Sequence, residues 1–204
     1  MEKNGNTFIA AIDCIGHGVP AAMLSFMVHY TLADLINENA ELSAGDMMSQ
    51  LNERMLDSLS REKSKNFNAA ADMSLCKISA CRTKLEYAGA GSPIIIQQGN
   101  VFTRIKAEPY SIADSVLNLR HSYKTTEIKL NTKDRVYLFT DGLAHQHGGN
   151  GKVEKFGYKK LAEHLKLKAG HALRDVKQSI VSSLEAWQGR QEQTDDIMIL
   201  CVEI

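Results

Sequence analysis

The sequence predicts an α/β fold of the α+β kind, an αββα sandwich of two mainly antiparallel sheets flanked by helix pairs. Helical periodicity comes in two pairs of segments, one towards each end of the chain. Between them short β-like runs follow one another without strict βαβ alternation, which argues against a doubly wound parallel sheet. Short apolar runs also stand next to an aspartate three times, at Asp13, Asp141 and Asp195, as buried strands leading into or out of a polar site would.

Taken in order, the apolar run 8–12 reads as a central strand. Pro20 is acceptable in a first helical turn, and a helix is expected over 21–37. Ala22, Phe26, His29 or Tyr30, Ala33 and Ile36 or Asn37 recur there at three- to four-residue spacing. Ser43 is placed to cap a second helix reaching about Leu59, with Asp46 at the capping-box position. Residues 61–68 are polar and read as a loop. Strands are expected over 74–81, 85–88, 94–97, 101–105, 123–130 and 135–140, parted by glycine and proline turns such as Gln98-Gly99-Asn100. The glycine-rich stretch 148–151 precedes a helix near 158–165. Another helix is expected over 172–187 and a closing strand over 196–204.

With 204 residues the chain suits one well-buried domain, expected to span 1–204. Lys+Arg and Asp+Glu both total 24, so no long-range field favours nucleic acid or an anionic membrane, and neither is an expected partner. Four cysteines without a CxxC pair suggest neither a zinc ribbon nor a disulfide framework. Free thiols in a reducing cytoplasm are the expectation. Residues 1–6 are polar, unlike a signal peptide, and no run approaches the ~20 apolar residues of a membrane span.

Each acidic motif is weak alone. Asp13-Cys14-Ile15-Gly16-His17-Gly18 can be a strand ending in an Asx-type turn, or a loop offering Asp13 and a backbone carbonyl, that of Cys14, to an ion. Asp141-Gly142 commonly makes a turn, and Asp195-Asp196 can be a charged strand opening. If the three strands pack side by side, three carboxylates converge, and hard oxygen donors of this kind suit Mg²⁺ or Mn²⁺ better than zinc. Asp72, His17 and Asp196 are accessory candidates, the first two with a structural alternative as a strand cap or a turn hydrogen bond. His145 and His147 alternate in one loop and could offer a transition-metal site, or simply be exposed.

Residues 8–25 (FIAAIDCIGHGVPAAMLS), 136–149 (VYLFTDGLAHQHGG) and 193–202 (QTDDIMILCV) resemble, in order and spacing, the motifs of the type-2C (PPM) metal-dependent protein phosphatases, specifically the bacterial SpoIIE-like serine phosphatases. Residues 72–93 are similar to that branch's central hairpin region. The resemblance implies hydrolysis of phosphoserine or phosphothreonine on a regulatory protein by a metal-activated water, without a phosphoenzyme. It implies two Mg²⁺ or Mn²⁺ ions bridged by Asp13, with the Cys14 carbonyl completing the first site and Asp141 and Asp195 serving the second. Asp195 is preferred to Asp196 because the family ligand is the first of that pair. A small phosphoprotein such as an anti-sigma-factor antagonist is the implied partner, and an upstream sensor domain is a further candidate.

The chain departs from the family in two places. The branch's Gly-Gly-Asp strand would lie ahead of Phe8, where this sequence has no room for it, so the first N-terminal strand is expected to be missing. His145-Gln146-His147 stands where relatives carry an acidic residue and an aromatic. Two other readings therefore accompany the phosphatase: a catalytically weak partner-binding module of the same fold, and a phosphoesterase acting on small molecules.

Overall fold

The computed structural model describes residues 1–61, 68–149 and 154–204. The chain divides into two compact units, one formed by 1–93 and 106–131, the other by 94–105 and 132–204.

The first unit is an antiparallel sheet in the order β1-β2-β3-β4-β7, with two helices. Its strands are β1 (Glu2–Lys3), β2 (Asn6–Cys14), β3 (Ala71–Ile78), β4 (Lys84–Ala90) and β7 (Thr126–Lys129). β1 and β2 form a hairpin that the polar N-terminus had not suggested. Its turn is Asn4-Gly5, both with positive φ (51° and 75°), the pairing that two-residue hairpin loops require. The strand expected over 8–12 runs to Cys14, so Asp13 lies inside β2 rather than beyond it.

Helix α1 (Gly18–Glu38) and helix α2 (Ala44–Arg61) pack on each other, α1 also on β2 and α2 on β3 and β4. The buried face of α1 is Leu24, Val28, Leu32, Leu35 and Ile36, not the set containing Phe26 and Tyr30. Those two rings stack on each other on the outside, with Val19 and Met23 also exposed. Apolar residues nearly all round α1 allow more than one stripe, and packing against Met47, Met48 and Leu51 of α2 selects the one used. By length and composition alone α1 could cross a membrane, contrary to expectation, although five of its residues enter the core.

The capping of α2 is as expected: Asp46 N donates to Ser43 Oγ at 3.2 Å, and that hydroxyl donates to Asp46 Oδ2 at 2.7 Å. The remaining first-turn amides are also satisfied. Ala44 N donates to the buried Glu86 carboxylate and Gly45 N to Thr125 Oγ1. The loop expected over 61–68 falls mostly outside the described residues.

The second unit is an antiparallel sheet in the order β11-β8-β5-β6. It comprises β5 (Ile94–Gln98), β6 (Val101–Ile105), β8 (Arg135–Phe139) and β11 (Ile199–Glu203). Successive residues of β5 and β8 are buried, the pattern of strands covered on both faces. A one-turn helix α3 (Gly142–His145) follows β8, and a two-strand ribbon pairs β9 (His147–Gly148) with β10 (Glu154–Lys155). Neither was foreseen, because Asp-Gly and Gly-Gly read as turns. Of the glycine-rich stretch 148–151, residues 150 and 151 lie outside the described residues. Helix α4 (Gly157–Leu167) and helix α5 (Leu173–Gln188) pack on each other, and Leu161, Leu165, Val176 and Ile180 share a core with Ile95, Tyr137 and Phe139. Each unit thus unites an antiparallel sheet with a helix pair, and the predicted α/β class with antiparallel sheets stands.

Candidate functional site

In the first unit Asp13 and Asp72 are direct cross-strand partners in the β2–β3 ladder. Residues opposite each other share a face with Cβ atoms roughly 5 Å apart, so the two carboxyl groups start from neighbouring positions. Asp72 is in β3, which begins at Ala71 rather than at residue 74. Its carboxyl group occupies the space a side chain at Gly91 would need: a methyl there would fall 2.3 Å from Asp72 Cγ. Gly91 has φ +69°, which glycine adopts without strain. The Ser111 hydroxyl donates to Asp72 Oδ1. Tyr123 lies close by, its hydroxyl donating to the Ser111 and Tyr110 carbonyls, and burial together with the Glu108 and Asp72 charges pushes its phenol well above the ordinary range.

Cys14 ends β2 opposite Ala71, and burial pushes its thiol up. The thiol packs towards the core, so any part Cys14 plays at the site falls to its main chain, as the resemblance implied. Gly16 and Gly18 adopt φ +97° and +73°, with open space where a side chain would go. They are needed for the backbone path rather than for close approach. His17 is the N-cap residue of α1 in extended conformation, exposed and making no side-chain cap. The first turn of α1 contains no acidic residue of its own.

In the second unit Asp141 and Asp195, far apart in sequence, become neighbours through Thr140 and Gly142. Thr140 Oγ1 donates to the Asp196 carbonyl at 2.9 Å and accepts from Met198 N at 2.9 Å. A methyl at Gly142 would lie 2.3 Å from the Asp196 carbonyl oxygen and 3.2 Å from Asp195 Cβ. Only glycine lets the 195–196 segment pass over the start of α3, where Asp141 is the N-cap. Asp195 lies four residues ahead of β11, not at the strand opening, because 196–198 is bonded sideways to Thr140. Asp195 Oδ1 accepts from its neighbour's amide, Asp196 N, at 2.8 Å.

His145, at the end of α3, holds Nδ1 3.0 Å from Asp141 Oδ2. His147 lies on β9, opposite Lys155. The loop bearing both histidines is thus folded, with Gln146 between them buried and donating to the His147 and Glu192 carbonyls.

Each unit therefore carries an acidic pair of its own, Asp13 with Asp72 in the first and Asp141 with Asp195, beside Asp196, in the second. Among the described residues no three His, Cys, Asp or Glu side chains gather as a group able to hold an ion. Carboxylates and main-chain oxygens, partly exposed, fit a hard divalent cation and not a thiolate-seeking one. Sequence reasoning missed Ser111, Thr140, Gly91 and Gly142. Thr140 and Gly142 flank Asp141 within the recognised motif, whereas Ser111 sits in a stretch without any local signature.

The resemblance read from the motifs is borne out by comparison with known proteins. Over 179 residues the chain is 24% identical to phosphoserine phosphatase RsbU of Bacillus subtilis (strain 168). That alignment takes in 85% of this chain and 50% of RsbU, so the chain spans about half the length of the curated relative it matches. The SiaA-PP2C domain of Pseudomonas aeruginosa superposes with a TM-score of 0.82 at 24% identity, covering 98% of this chain and 80% of that one. The catalytic domain of the serine/threonine protein phosphatase PstP, solved in complex with 2 manganese ions, superposes with a TM-score of 0.65 at 12% identity, covering 100% and 92%. These structural likenesses show a PP2C-type fold. The family model described as Stage II sporulation protein E (SpoIIE) matches residues 3–204, and the chain belongs to the SpoIIE family.

Proposed function

We propose that this chain is a protein serine/threonine phosphatase that removes phosphate from a small regulatory phosphoprotein with the help of Mg²⁺ or Mn²⁺. The observation that supports the reading is the close approach of the segment carrying Asp195 to Thr140 and Gly142, on either side of Asp141, in a chain of this family. Nothing in a plain turn or strand opening calls for that approach.

Asp13, the Cys14 main-chain carbonyl, Asp141 and Asp195 would hold the ions. When bound, such ions acidify a water and neutralise phosphoryl oxygens during in-line displacement. The part left to the protein is to keep acidic oxygens fixed before substrate arrives. β2 does this for Asp13 through continuous ladder pairing with β3, and the Thr140 hydroxyl does it for the 195–198 segment by bonding on both sides. A rigid frame spares the reorganisation that would otherwise be charged to the chemical step. An anti-sigma-factor antagonist is the partner class this reading favours. A reducing, cytoplasmic setting suits the four free cysteines.

The test is release of phosphate from a phosphoserine peptide with Mn²⁺, with and without chelator, in the parent chain and in Asp13→Asn. Activity that needs the metal and falls at least ~100-fold in the variant is the expected result. Undiminished turnover in excess EDTA overturns the reading, as does near-parental activity of Asp13→Asn.

A further inference from the structure

We propose that Ser111 is a positioning residue which sets the Asp72 carboxylate beside Asp13, so that Asp72 joins Asp13 in holding a divalent cation. The inference rests on the phosphatase reading above but concerns two residues that reading does not use.

Two aspartates directly opposite each other on antiparallel strands repel, and such pairs are avoided in sheets unless something compensates them. This chain maintains the pair with several independent features. Gly91, at φ +69°, leaves vacant the volume the Asp72 carboxyl group fills. The Ser111 hydroxyl takes Asp72 Oδ1 as its acceptor, which fixes the rotation of the carboxylate. Ser111 is itself held from both sides. Its neighbour Ile112 forms a two-bond bridge to Ala71, the residue before Asp72, with Ile112 N to Ala71 O and Ala71 N to Ile112 O both at 2.9 Å. On the other side the Tyr123 hydroxyl donates to the Ser111 carbonyl at 3.1 Å.

Farther out, Ala113 N donates to Asn52 Oδ1 and the Asn52 amide donates to the Leu119 carbonyl, which ties the segment carrying Ser111 to α2. A hydroxyl placed with this redundancy on a carboxylate opposite the proposed bridging aspartate does what outer-shell partners do at metal sites. It orients the ligand in advance and so raises affinity. Because Ser111 acts only through Asp72, its contribution should vanish when Asp72 is neutralised.

The experiment is isothermal titration of Mn²⁺ into the intact chain and into Ser111→Ala, Ser111→Thr, Asp72→Asn and the double variant Ser111→Ala/Asp72→Asn, with Asp13→Asn as reference. Circular dichroism melts are recorded alongside. Ser111→Ala is expected to weaken Mn²⁺ binding about tenfold, in line with outer-shell substitutions at metal sites. Ser111→Thr, which keeps the hydroxyl, should restore it. Asp72→Asn should weaken binding at least as much, the double variant should match Asp72→Asn alone, and Asp72→Asn should melt no lower than the parent without metal.

Parental Mn²⁺ affinity in a folded Ser111→Ala overturns the proposal, and so do additive losses in the double variant. If Ser111→Ala fails to fold, parental affinity in Asp72→Asn is decisive against it. Loss of Mn²⁺ binding in Asp13→Asn with neutral effects at Ser111 and Asp72 would reject this inference alone. Unchanged Mn²⁺ binding in Asp13→Asn would reject the phosphatase reading beneath it.

Discussion

Thr140 and Met198 are bonded to each other twice. Thr140 N donates to the Met198 carbonyl at 3.2 Å, and Met198 N donates to Thr140 Oγ1 at 2.9 Å. The same hydroxyl donates to the Asp196 carbonyl, so one buried oxygen governs the path of the segment that carries Asp195. Thr140→Val keeps the shape of the side chain but strands a backbone donor and leaves a carbonyl unserved. A loss of about 1–3 kcal/mol is expected from urea denaturation. Phosphatase turnover should fall further than stability alone explains, because Asp195 loses its restraint.

Gly142 makes a second test of the same crossing. Alanine there would need its methyl 2.3 Å from the Asp196 carbonyl oxygen, a backbone atom that cannot swing aside as a flexible side chain would. Gly142→Ala should therefore cost about 1–3 kcal/mol in chemical denaturation and displace the 195–196 segment. Mn²⁺-dependent phosphatase activity should be lost even where a melt still shows a folded chain.

Lys133 offers the opposite sign. It is exposed, in the turn before β8, at φ +70°, a region that costs residues with a Cβ roughly 1–2 kcal/mol. Glycine loses more entropy on folding, which takes back part of the relief. Lys133→Gly should raise stability by up to about 1 kcal/mol and leave activity unchanged, read as a higher urea midpoint at constant slope.

Glu108 predicts a pH response. Burial pushes its carboxyl up, but hydrogen bonds from His121 and from the Lys124 amide outweigh this and hold it below the usual glutamate range. A carboxyl lowered in the folded state adds stability that is present above its unfolded pKa, near 4.3, and is lost as pH falls through the folded value. Melting temperature should consequently drop below about pH 4.5 in the parent. Glu108→Gln should start lower and show a shallower drop in that acid window. An equally steep acid loss in the variant would show that other carboxylates dominate.

Where one signal had a single physical solution, the sequence was readable. Ser43 and Asp46 announce the start of α2 because few other arrangements satisfy its first amides, and the structure shows that cap. The acidic motifs marked Asp13, Asp141 and Asp195, yet the phase of α1 was misread. Leu24, Val28 and Leu32 compete with Phe26 and Tyr30 for the inside, and only the partner helix decides between them. The strand start at residue 196 was misplaced for a related reason. Ile197 and Met198 are apolar enough for a ladder, but Thr140 bonds the backbone on either side of Ile197, at Asp196 and Met198. Asn4-Gly5 forms a hairpin turn whose flanking strand β1 carries no apolar alternation to mark it in the sequence. Ser111 had no local signature at all, since its meaning comes from Asp72, 39 residues away.

The hairpin joining β3 to β4 carries Cys81, exposed, with its sulfur 2.9 Å from Thr83 Oγ1 and 3.4 Å from Ser79 Oγ. These hydroxyls lower its thiol to about 7, whereas burial raises Cys201 to about 11 and takes Cys76 higher still. At neutral pH Cys81 therefore carries thiolate in orders of magnitude greater proportion than Cys201 or Cys76, and it is also the exposed one. A substoichiometric maleimide dye should attach at Cys81 first, verifiable by peptide mass mapping. It would put a fluorophore on the sheet that carries Asp13 without replacing a single residue.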